Sequence, residues 1–132
     1  MKHNLLKSWL TPCTLVLLFA VMFSGCLEST VTTTCTSMAE TRCQTCFSCE
    51  KTEADLSGAS LCQLTHESTE EGCVEELVRT CESQTNARQL ALDTLEACDE
   101  ALQTEEASTC EPLYEHATQG HTSLPSECLQ LF

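Results

Sequence analysis

Residues 35–49 read Cys35-Thr36-Ser37-Met38-Ala39-Glu40-Thr41-Arg42-Cys43-Gln44-Thr45-Cys46-Phe47-Ser48-Cys49. On a helix turning about 100° per residue, Cys35, Met38, Cys43, Cys46 and Cys49 fall within roughly 140° of one another. Four cysteines on one stripe predict a helix stapled to its neighbours along that stripe.

Working toward the C-terminus, every apolar pattern is helical. Thr52 to Ser60, with Gly58, reads as a turn or helix start, and Leu61, Cys62 and Leu64 as one or two helical turns. Ser68-Thr69-Glu70-Glu71 has the form of a capping box, Ser68 capping and Glu71 reaching back. Behind it, Cys73, Val74, Leu77, Val78 and Cys81 share one face. Asn86 to Gln89 repeats the start signature more weakly, ahead of a helix whose Ala91, Leu95, Cys98 and Leu102 lie within roughly 60°. A segment from about Thr109 to Ala117 carries Cys110, Leu113 and Tyr114; Pro112 suits only its first turn, and Gly120 ends it. A last turn or two from Ser123 to Leu131 presents Cys128, Leu129 and Leu131. No segment alternates apolar and polar residues as a half-buried strand must. The expected fold class is all-α: a small disulfide-rich domain of four to six short helices.

Toward the N-terminus the character changes. Met1 to Lys7 carries two lysines and no acid, and an apolar run follows from Leu15 to Phe23, then Ser24-Gly25-Cys26. A positive start, a short apolar centre and small residues at the exit describe a secretory signal over residues 1–25. The rival is an uncleaved membrane anchor. Counted back to Trp9 the stretch is only about 15 residues, interrupted by Thr11, Pro12 and Thr14, against the roughly 20 a span needs. Leu27 to Thr34 is polar, β-branched and patternless, and is expected to be an extended tether, so that residues 26–34 form anchor and tether and 35–132 the cysteine-rich domain.

Lys2 and Lys7 leave with a cleaved signal, so four basic residues face all 20 acids, a formal charge of −16. Such a surface repels nucleic acid and anionic headgroups. A calcium loop needs clustered Asp and Asn, and Asp55, Asp93 and Asp99 are scattered.

Of the 12 cysteines, Cys13 leaves with the signal. With Cys26 chemically occupied, Cys35, Cys43, Cys46, Cys49, Cys62, Cys73, Cys81, Cys98, Cys110 and Cys128 remain, an even set that can close as five disulfides in an oxidising compartment. A chain this short, with one Trp and one Tyr, builds a small core. Each bridge then adds about 2–4 kcal/mol by constraining the unfolded state. The pairing stays open.

Phe23-Ser24-Gly25-Cys26 resembles the lipobox of bacterial lipoproteins, with Phe23 where that family favours Leu. The loosely spaced Cys73 to Cys81 run is similar to stretches in cysteine-rich members. The resemblance implies a diacylglyceryl group on the Cys26 thiol, cleavage before it and acylation of the new N-terminus, several chains together giving stable anchoring. Leu27 in the next position implies outer-membrane rather than inner-membrane residence in Gram-negative members. An ordinary secretory cut just after Cys26 would leave the same ten cysteines.

Three readings compete for Cys43-x2-Cys46-x2-Cys49. The first is structural, each cysteine bridging a different neighbouring segment. The second is soft-metal binding: thiolates three apart on a helix can share Cu(I), and the motif looks like one repeat of the four-helix copper-storage proteins, which repeat it on several helices. Zinc lacks a ligand spacing with His66, His116 or His121, and no fourth cysteine follows in ferredoxin-like spacing. The third is thiol redox, for which the motif lies at the wrong end of its helix, with no preceding strand.

The histidines are expected at the surface, beside no nucleophile. Adjacent helical residues point apart, so Glu75-Glu76 and Glu105-Glu106 are expected on a solvated face. No catalytic residue, resident metal or cofactor is expected. The expectation is a non-enzymatic envelope protein held to the membrane by its N-terminal lipid. It would act as a structural or protein-interaction module, with a thiol-based metal or redox protein as the alternative.

Overall fold

The repeat distance of the cysteines dictates the central packing. Cys35 and Cys43 are eight residues apart on one helix; their partners Cys81 and Cys73 are eight residues apart, in reverse order, on another. Two such bridges require helices running antiparallel, with matching rises of about 12 Å between the cross-links. The computed structural model, which describes the backbone over residues 12–51, 56–65 and 69–132 and side chains within those ranges from residue 30, has this arrangement.

Five α-helices are present among the described residues: α1 (Pro12–Ser48), α2 (Gly58–Leu61), α3 (Glu70–Arg88), α4 (Leu92–Leu102) and α5 (Glu111–Gln119), followed by a 3-10 turn (Ser126–Cys128). The β pairing there is a single antiparallel bridge between Lys51 and Leu56. The fold is therefore all-α and disulfide-rich. The chain divides into two compact units, Met1–Thr30 and Val31–Phe132.

All ten cysteines of the second unit are bridged. Cys35–Cys81 and Cys43–Cys73 clamp α1 to α3, with Cα separations of 5.8 and 5.9 Å. Cys46–Cys62 ties α1 to the end of α2, Cys49–Cys110 ties the residue after α1 to the start of α5, and Cys98–Cys128 ties α4 to the 3-10 turn. Disulfides form and persist in oxidising compartments, and this unit belongs in one.

Two apolar clusters sit along α1. One gathers Cys35, Met38, Cys81, Leu95, Cys98, Leu102, Cys128 and Leu131. The other gathers Cys43, Cys46, Cys49, Leu61, Cys62, Cys73 and Leu113. The cysteine stripe supplies both, so the bridges are the core as well as its cross-links. Tyr114 adds a polar seam, its hydroxyl donating to the Cys49 carbonyl at 2.8 Å while Lys51 Nζ lies 3.7 Å from its ring centroid.

Three local expectations change. Leu27 to Thr34 is not extended; α1 runs through it. β-Branched residues are mediocre helix formers, but tertiary contacts override that here. Val31 packs on the first cluster, the Thr32 hydroxyl donates to Glu82 Oε1 at 2.7 Å, and the Thr36 hydroxyl donates to the Thr32 carbonyl one turn back. The compact unit consequently begins at Val31, four residues before Cys35.

The cap of α3 is Thr69, whose Oγ1 accepts from Gly72 N–H at 3.1 Å; Ser68 lies outside the described residues. Asn86 to Gln89 ends a helix instead of starting one. Arg88 closes α3, and Gln89 takes the left-handed conformation at φ 52°, its N–H donating to the Thr85 carbonyl. The next helix, α4, starts from Ala91 without a side-chain cap. By contrast, α5 follows the sequence reading, with Pro112 in its first turn and Gly120 at φ 75° closing it.

Candidate functional site

Cysteines three apart along α1 and just past its end are sent to three places: Cys43 to Cys73, Cys46 to Cys62 and Cys49 to Cys110. The Sγ atoms of Cys43, Cys62 and Cys73 lie within 4.8 Å of one another, all buried. This grouping is two disulfides side by side. A bridged sulfur is not a thiolate, and thiolates are the nucleophiles and metal ligands; reduction would have to precede either chemistry. Cys26 lies within the α1 backbone span, and its side chain lies outside the described residues.

The second grouping was not anticipated. Arg42 occupies the middle of the cysteine stripe and is 5% exposed. A guanidinium presents five N–H donors. Two of them engage Ser123: Nη1 donates to its carbonyl at 3.1 Å and Nη2 to its hydroxyl. No carboxylate pairs with Arg42 among the described residues, and removal from water lowers its pKa to about 10. In a domain with about a fivefold excess of acids over bases, an internal arginine that meets no acid among the described residues is conspicuous.

Arg42 lines a cavity of about 440 Å³ whose apolar wall includes Leu64, Leu77, Leu124, Leu129 and Phe132. Glu76, from α3, lines the same space. Its Oε1 accepts from the hydroxyl and backbone N–H of Thr65 at 3.0 and 3.4 Å. Its Oε2 is buried without a hydrogen-bond partner among the described residues. The expectation of a solvated face therefore holds for Glu75, which is exposed, and fails for Glu76. One signal in the sequence pointed here: at ~100° per residue Arg42 falls between Cys46 and Cys49 on the stripe, and a charge inside an apolar stripe is a buried charge.

His121 is exposed and His116 half-buried. The His116 Nδ1 and the His121 carbonyl hydrogen-bond around the Gly120 turn. Among the described residues no helix is long and apolar enough to cross a membrane. Comparison with family models, curated proteins and solved structures finds no match to this chain.

Proposed function

We propose that the chain is an exported lipoprotein of the bacterial cell envelope, acylated on Cys26, which presents its disulfide-clamped helical unit as a non-enzymatic structural or interaction module. The observation carrying this reading is the closure of the cysteine set. All ten cysteines from Cys35 onward bridge among themselves. Cys26 is thus surplus to the cross-linking, as a cysteine reserved for acylation would be. It directly follows the Phe23-Ser24-Gly25 stretch that resembles a lipobox. Acylated there, the chain needs no spanning helix, and several acyl chains hold it stably. The partner proposed for the exposed, acidic surface is a protein, since nucleic acid and anionic lipid are repelled.

The test is the intact mass of the protein from a membrane fraction, alkylated before and after reduction. Lipid mass on a chain beginning at Cys26, with no thiol labelled before reduction and ten after, is the expected result. The Cys26→Ser variant should leave the membrane fraction.

A second reading rests on the proximity of Cys43, Cys62 and Cys73. As thiolates these three would suit a soft ion such as Cu(I). Three or more thiols labelled without reduction would replace the stapled-module reading by this one or by thiol redox chemistry.

A further inference from the structure

We infer that the cavity between the two apolar clusters is a binding site for a small zwitterion with a bulky apolar side chain, the chemistry of a free amino acid such as leucine or phenylalanine. The inference is independent of how the chain is anchored. Three features of one cavity specify the ligand. Arg42 offers N–H groups beyond the two that Ser123 engages, and no carboxylate meets them among the described residues. Glu76 offers a buried carboxylate oxygen that accepts nothing among the described residues. Leu64, Leu77, Leu124, Leu129 and Phe132 supply the apolar wall.

Among the described residues the two groups do not pair with each other, and the buried Arg42 guanidinium and the buried Glu76 Oε2 each keep hydrogen-bonding capacity that a ligand could use. A ligand carboxylate against Arg42 would form the strong, charge-assisted, potentially bidentate contact a guanidinium makes. A ligand ammonium against Glu76 Oε2 would satisfy the remaining acceptor. Ligands with a single charge fit worse. A pure anion must approach a strongly acidic surface and then meet Glu76, and a pure cation meets Arg42.

Size and exposure agree with this. A space of about 440 Å³ falls within the range of small-molecule sites and is too small for a folded partner. Leu129, at 49% exposure the large apolar side chain most open to water among the described residues, lies on the lining of this cavity. An apolar ligand side chain would cover it.

The experiment is titration calorimetry on the full, oxidised protein with L-phenylalanine and L-leucine. N-acetyl-L-phenylalanine, L-phenylalaninamide and glycine remove in turn the ammonium, the carboxylate and the side chain. Saturable one-to-one binding of the parent amino acids is expected, weakened about tenfold or more by each removal. Glu76→Gln should weaken the parent ligand and leave the weak N-acetyl analogue unchanged, a coupling that mere unfolding would not produce. Because the analogues alter the ligand and not the fold, the outcome does not depend on any variant being stable. No heat of binding at about 10 mM of either amino acid, or equal affinity for the parent and the N-acetyl analogue, would overturn the proposal.

Discussion

Removing the bridge between Cys49 and Cys110 should destabilise the domain more than removing the one between Cys46 and Cys62, by about 1 kcal/mol. The two pairs are 61 and 16 residues apart in sequence. Those separations overstate the loops, because Cys43–Cys73 already shortcuts both. From Cys49 the shortest remaining path goes back to Cys43, across to Cys73 and on to Cys110, about 43 residues. From Cys46 the same shortcut reaches Cys62 in about 14. The chain-entropy relation then gives about 4 kcal/mol for the longer loop and about 3 for the shorter.

The paired variants Cys49→Ala/Cys110→Ala and Cys46→Ala/Cys62→Ala would be compared by guanidinium unfolding, followed by far-ultraviolet circular dichroism. Both remove two sulfurs from the same apolar cluster, so the packing losses largely cancel in the comparison. Hydrogen exchange adds a spatial readout. Without Cys49–Cys110, α5 is held mainly by buried Leu113 and by the Tyr114 hydroxyl on the Cys49 carbonyl, and its amides should exchange first. If the Cys46–Cys62 deletion proves the more costly, loop length does not govern these bridges and the reasoning fails.

Three further outcomes follow from local geometry. A Cβ on Gly58 would stand 2.5 Å from the Phe47 ring and 2.9 Å from its Cα, so Gly58→Ala should cost about 1–3 kcal/mol and lower the unfolding midpoint in guanidinium. Gly120→Ala meets open space but must hold φ 75°, so it should lose only about 1 kcal/mol, and the loss should appear as fraying of the α5 end in hydrogen exchange. Thr69→Ala removes the acceptor for Gly72 N–H and should cost about 1 kcal/mol in chemical denaturation, largely restored by Thr69→Ser.

The helices were legible because cysteine behaves as an apolar marker when it is to be bridged. The cysteines of the α1 stripe, Cys73 and Cys81 of α3, and Leu95, Cys98 and Leu102 of α4 are all buried, while Ala91 ahead of α4 is exposed. What local sequence could not convey was competition between local and distant interactions. Leu27 to Thr34 has weak helical propensity, and contacts from Glu82, 50 residues beyond Thr32, outweigh it. Asn86 to Gln89 satisfies a start signature by residue type, whereas the left-handed Gln89 makes it a stop. Pairing was closed to the sequence because a stripe gives direction without identifying what lies opposite. The cavity was missed for a related reason. Arg42 and Glu76 are 34 residues apart, and the place of Arg42 inside the cysteine stripe signals its burial without showing that Glu76 lines the same space.

The two cross-links between α1 and α3 also constrain how this chain can change length. Deleting one residue between Cys35 and Cys43 would swing one cysteine about 100° around the helix and shift it about 1.5 Å along the axis. That one displacement would unseat the rung entirely. A compensating deletion on α3 would have to fall between Cys73 and Cys81. Insertions and deletions are therefore tolerable only outside these rungs, in connections such as residues 103–109. The pair of rungs works as a ruler, and relatives of this protein should conserve the interval of eight on both helices even where every residue within it differs.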